Sequence, residues 1–280
     1  MLLHRTWAAS VVAAATLLAL GAPAAPAAVP TAPAVPGPGL LVVDYAPAGT
    51  AQDLAEQRFL EKNDVLEGAA AHSNSLIGLP RDIPLTAGSC GEANAFWDPD
   101  SQSIAFCYEL VGAYRNLFES LNTTGTPAQR NRATEDDLIG ISNSVVFHEL
   151  GHALIQVYDL PTTGREEDAA DQLATLMLAG DPVRQEYAVS AIEAWGALAV
   201  ATEQGDVSGQ LADEHALDSQ RYYNAICWLY GSDPEAYRGA VLTAANPDGV
   251  LPESRAARCP AEYDKIYSSW STLLEPYLKN

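Results

Sequence analysis

The chain has 280 residues, a formal net charge of −21 and 48% hydrophobic residues, with a sequence pI near 4.4. That charge argues against nucleic acid or an anionic membrane as the partner. The length allows one large domain or two lobes around a cleft.

Residues 1–6 carry Arg5, residues 7–20 are apolar and alanine-rich, and Ala22-Pro23-Ala24 and Ala25-Pro26-Ala27 offer small-x-small cleavage sites. This is the pattern of an export signal, expected over 1–24. The apolar stretch is short for a bilayer span of about 20 residues, so no stable membrane insertion is expected after cleavage. Residues 25–40, rich in Ala, Pro, Gly and Val, read as a linker. Residues 41–280 form the expected domain, with lobes of about 41–131 and 132–280. The fold class expected is α+β, mainly helical.

Within that domain, 40–45 reads as a strand, 51–75 as one amphipathic helix and 83–86 as a short strand. Residues 93–97 and 103–107 flank Asp98-Pro99-Asp100 and read as a hairpin. From Tyr108 the pattern is helical. Gly125-Thr126-Pro127 marks a break, and helices are expected over 135–158, 164–179, 183–204, 213–230, 233–245 and 260–278. Four cysteines permit three pairings. Cys90–Cys107 would clamp the hairpin and Cys227–Cys259 would tie two late helices. An exported chain with an even cysteine count favours such bridges over a metal site, and no C-x-x-C occurs.

The helix over 135–158 contains His148-Glu149-Leu150-Gly151-His152. With 3.6 residues per turn, His148 and His152 share a face one turn apart. Two neutral imidazoles so placed suit zinc, and Glu149 would act as general base on the attacking water. Val145, Val146, Leu150, Ala153, Leu154 and Val157 would bury the helix around them, and Gly151 would let another element approach.

A catalytic zinc site needs a third protein ligand. The candidates are Glu166, Glu167, Asp168 and Asp171. Thr163-Gly164-Arg165-Glu166 fits a capping box, which occupies Glu166 and leaves Glu167 freer. Asp171, four residues on and on the same face, would receive the N–H of a ligating histidine. His215 would face the metal as an oxyanion donor, oriented by Asp218 three residues on; Tyr222 and Tyr223 are alternatives.

H-E-L-G-H followed by E-x-x-A-D resembles the glutamate-zincin metallopeptidases. The resemblance implies His148, His152 and Glu167 as zinc ligands, Glu149 as base and Asp171 behind a histidine. Fourteen residues separate His152 from Glu167, which is short for thermolysin-like members. Asn94-Ala95-Phe96-Trp97 is similar to the edge strand on which those enzymes pair substrate backbone, which implies substrate contacts at Asn94 and Ala95. That run, with Cys107-Tyr108-Glu109-Leu110, Glu166-Glu167-Asp168-Ala169-Ala170-Asp171-Gln172 and Gln220-Arg221-Tyr222-Tyr223-Asn224, is similar to a family of uncharacterised, mostly bacterial, secreted candidate metallopeptidases, over roughly 45–259.

The expectation is a secreted zinc peptidase acting on peptides or proteins. A catalytically silent zincin-like domain that binds a partner through the same cleft is the alternative. No G-x-S-x-G elbow, phosphate-cradling loop or G-x-G-x-x-G supports another chemistry. Oligomeric state is not legible.

Overall fold

A computed structural model describes residues 37–279. The expected signal peptide and most of the linker lie outside the described residues. The fold is α+β and mainly helical. β1 (Leu41–Tyr45) leads through α1 (Ala51–Lys62) and α2 (Val65–Leu76) to β2 (Ile83–Gly88). β3 (Ala95–Asp98), β4 (Ser103–Cys107) and α3 (Tyr108–Leu121) follow. The sheet order is β1-β2-β4-β3, parallel throughout except for the antiparallel β3–β4 hairpin. Alternate residues Ile83, Leu85 and Ala87 of β2 and Ile104 and Phe106 of β4 are buried, as the two-residue period of a strand requires.

The single helix expected over 51–75 is two. Asp64 adopts φ +48, a left-handed conformation that a short polar side chain tolerates, and the break falls there. The apolar pattern continues across the break, which is why periodicity alone reads straight through it.

α4 (Pro127–Val157) is the central element. It begins earlier than the expected Glu135, because the residues of the 125–127 break are also its start. Thr126 and Gln129 form a capping box, and Pro127 occupies the first turn, where its missing N–H costs nothing. By length and hydropathy α4 could cross a bilayer, but 83% of its most apolar window is buried inside this chain. It packs against α2, α3 and the β3–β4 edge of the sheet, and against α5 (Glu166–Ala179) and α6 (Gln185–Thr202).

Short α7 (Ser208–Leu211) and α8 (Asp218–Ser232) replace the expected helix over 213–230. A 3₁₀ turn (Arg238–Ala240) and the strand pair β5 (Val241–Leu242) and β6 (Leu251–Pro252) replace the one over 233–245. Asn246 stops a helix there: its side-chain amide donates to the carbonyls of Gly239 and Val241. α9 (Glu253–Ala256) and α10 (Cys259–Leu274) complete the described fold. The disulfides are Cys90–Cys107 and Cys227–Cys259. The first ties the loop after β2 to the end of β4; the second ties α8 to α10.

Candidate metal centre and active-site cleft

Between β3 and the helices lies a cleft of about 770 Å³. α4 supplies one wall with Ser144, Val145, His148, Glu149, His152 and Gln156, a single helical stripe. β3 and Asn94 just before it supply the opposite rim, with Ala95, Phe96 and Trp97.

α5 reaches His148 and His152 because Gly151 lets it. A Cβ on Gly151 would lie 2.9 Å from the Cα of Ala170. The close approach brings Glu167 and Asp171, one turn apart on α5, over the histidines. His148 Nε2 and His152 Nε2 are 3.2 Å apart, and Glu167 Oε2 lies 3.1 Å from the first and 3.4 Å from the second. The three side chains form a cluster able to hold a metal ion. His148 Nδ1 is 2.8 Å from Asp171 Oδ1.

The support around this cluster departs from the sequence-based picture at three points. First, Thr163 does not cap α5; the cap is Arg165, without a side-chain bond. Glu166 is therefore not engaged in a capping box, and its Oε1 lies 2.8 Å from His152 Nδ1. Each histidine thus has its Nδ1 on a carboxylate of α5. Second, Asp218 does not orient His215. α8 starts at Asp218, so His215 is in the preceding loop and shares no helical face with it. Asp218 instead accepts from the Thr202 hydroxyl at 3.2 Å. His215 still reaches the cluster: its Nε2 is 2.8 Å from Glu167 Oε2, and its Nδ1 is 3.4 Å from Asp213. Tyr222 and Tyr223 do not line the cleft. Third, Arg221 of α8, which has no expected role of its own, joins the support. Its Nε and Nη2 donate to the two oxygens of Asp171 at 2.8 Å each. The guanidinium stacks 4.7 Å from the centre of the Trp195 ring. Fifty residues separate Arg221 from Asp171, so no local pattern announces the pair.

Glu149 is buried, and burial pushes its carboxyl pKa up despite the opposing pull of His148 and His152. Its Oε2 accepts the backbone N–H of Trp97 at 2.8 Å. The hairpin register explains that bond. Cys107 donates to the Asn94 carbonyl, so the alternation turns the polar groups of Ala95 and Trp97 to the free edge. The Trp97 indole also donates to Gln156 of α4.

The charges are strongly coupled. Burial lowers the His148 pKa, but hydrogen bonds to Asp171 and Glu167 outweigh it and raise the value to about 9. Burial alone would raise Asp171; Arg221 and His148 together hold it well below the usual carboxylate range. Glu167 is also strongly lowered, because the three histidines overcome its desolvation. His215 is raised, first by its bond to Glu167.

A family model, DUF4344, with the description "Putative metallopeptidase", matches residues 45–274. The chain belongs to this metallopeptidase family. Membership implies a metal cofactor, hydrolase activity and peptide or protein substrates. Searches of the curated proteins and of the solved structures return no match.

Proposed function

We propose that this member of the family is a secreted, zinc-dependent peptidase that uses His148, His152 and Glu167 as ligands and Glu149 as general base. The observation that carries the reading is the convergence of two imidazole nitrogens and one carboxylate oxygen in a cleft wall, with a buried glutamate beside them. The donor set fits zinc: ligands about 2.0–2.1 Å from one tetrahedral ion lie about 3.3 Å from each other, and the separations here are 3.1, 3.2 and 3.4 Å. The leader-like N-terminus and the two disulfides support export to an oxidising compartment.

When bound, the metal would supply Lewis acidity to the attacking water and to the scissile carbonyl. Glu149 takes the proton from that water as its oxygen bonds to the carbonyl carbon. Its raised pKa suits it to hold the proton and then deliver it to the amine nitrogen as the C–N bond breaks. The Trp97 N–H fixes the carboxylate, so no reorientation is needed at the moment of transfer. His215 donates toward the developing oxyanion, and its loss is expected to lower kcat more than it changes KM. Asp171 and Glu166 hold the Nδ1–H tautomers, which leaves each Nε2 for the metal. Asn94 and Ala95 lie where an extended substrate would add to the β3 edge.

The test is Glu149→Gln in zinc-loaded protein. The side chain keeps its size and can still meet the Trp97 N–H, but it cannot carry the proton. Turnover of a peptide mixture should fall by about 10² or more, with bound zinc unchanged at one per chain. Undiminished cleavage would remove Glu149 from the chemistry. No cleavage by the wild type, with zinc bound, would favour the silent partner-binding domain.

A further inference from the structure

The cleft is charged asymmetrically. Apart from the histidines, its ionisable lining consists of the acids Glu149, Asp159, Glu166, Glu167 and Glu214, the phenol Tyr114 and one cation, Arg221. Positions along α4 give the cleft two ends. Leu110 and Tyr114 of α3 and Trp195 of α6, two helices packed on α4, line the cleft, and past Gln156 the lining passes to Asp159 and Leu160. Arg221 belongs to the first end, because its guanidinium stacks on Trp195. Ile141, Ser144 and Trp195, which line the cleft, are buried.

A guanidinium has two usable edges. The Nε–Nη2 edge of Arg221 is taken by Asp171. Nη1 has no hydrogen bond among the described residues, and the side chain keeps 17% exposure while lining the cleft. The Tyr114 hydroxyl has no hydrogen-bond partner among the described residues either, and the phenol lines the same cleft. Two donors without acceptors therefore sit at the inner end of an otherwise acidic cleft.

We propose that Arg221 and Tyr114 anchor the C-terminal carboxylate of a peptide, so that the substrate is cut near its C-terminus. The cutting half rests on the peptidase reading above; the anchor does not. A carboxylate is repelled by the five acids of the lining, and away from the histidine cluster Arg221 is the one cation that can accept it. Asp171 Oδ1 is shared by Arg221 Nη2 and His148 Nδ1, at 2.8 Å each, so one carboxylate ties the guanidinium to a candidate ligand. With about 3.3 Å per extended residue, the proposal places the scissile bond within a residue or two of the anchored terminus. The acids at the opposite end suit the cationic or N-terminal part of the chain.

Two experiments separate the anchor from the chemistry. Zinc-loaded Glu149→Gln is titrated by calorimetry with an apolar dipeptide as free acid and as amide. The acid should bind at least about tenfold tighter, the usual strength of a charge-assisted bond. Equal affinity overturns the proposal. Wild-type protein is then given one decapeptide in both forms. The acid should yield a ladder from its C-terminus, and the amide should be cut at least about tenfold more slowly. Internal cuts that ignore the terminus overturn it. Acid preference in binding with no cleavage by the wild type leaves the anchor standing and removes the peptidase reading. Tyr114→Phe should narrow the acid–amide difference without changing zinc content. Arg221→Lys, which cannot serve two edges at once, should abolish it; a retained difference in Arg221→Lys assigns the carboxylate elsewhere.

Discussion

Glu166 and Glu167 are adjacent in sequence, yet they meet different atoms of the cluster. Glu167 Oε2 faces the Nε2 atoms of both histidines, and Glu166 Oε1 faces only the Nδ1 of His152. The side chain of Glu166 is 46% exposed and that of Glu167 13%. The two should therefore differ in metal binding. Loss of an outer partner such as Glu166 typically weakens a site by about 10-fold to 100-fold, and Glu167→Ala should exceed whatever Glu166→Ala does. Competition against a chelator of known affinity measures both. Similar losses in the two variants would take the ligand role from Glu167. At this scale helical spacing made two pairs legible, His148 with His152 and Glu167 with Asp171, and the structure brings them together; the choice of Glu167 over Glu166 rests on the resemblance and on a capping box that α5 does not have. The sequence did not disclose Arg221 or the true partner of Asp218, since both depend on where α8 begins.

At the scale of elements, α2 meets α5 through His72, near the end of α2. The structure buries most of that imidazole against the Phe147 ring, with Nε2 3.3 Å from the Met177 carbonyl and Nδ1 3.7 Å from Asp181. Burial, then Arg184, pushes its pKa below the ordinary 6.5. The unfolded chain therefore binds this proton more readily than the fold does. The contribution to stability is complete above pH 6.5 and is lost as the pH falls through the lowered folded value. Denaturant melts between pH 7 and 5 should show this slope, and His72→Gln should flatten it. A variant as acid-sensitive as the wild type would assign the slope to other groups. Element identity was legible wherever period and punctuation agreed, as in the β3–β4 hairpin and β1. It failed where a single residue decides. Asp64 turns left-handed without a glycine to advertise it, and the Asn246 side chain takes over carbonyls in a stretch with helical composition.

For the whole molecule, the two bridges divide the labour. Cys227–Cys259 joins the helix carrying Arg221 to the C-terminal α10 across 32 residues. Chain-entropy reasoning gives such a loop about 3–4 kcal/mol. Replacing both cysteines by serine should lower the unfolding free energy by about that amount in denaturant titrations, and a negligible change would mean that packing of α8 on α10 suffices without the bridge. Both pairings agree with the reading of the hairpin and the late helices, and each closes a short loop, of 17 and 32 residues. The approach of α5 to α4 has a wider consequence. Position 151 has nothing to hydrogen-bond, ligate or protonate, but any side chain there must displace Ala170 and, with it, the acids on either side. A saturation map of activity would colour this glycine as darkly as the histidines flanking it. Tolerance to substitution in this chain records the spacing of two helices as faithfully as it records chemistry.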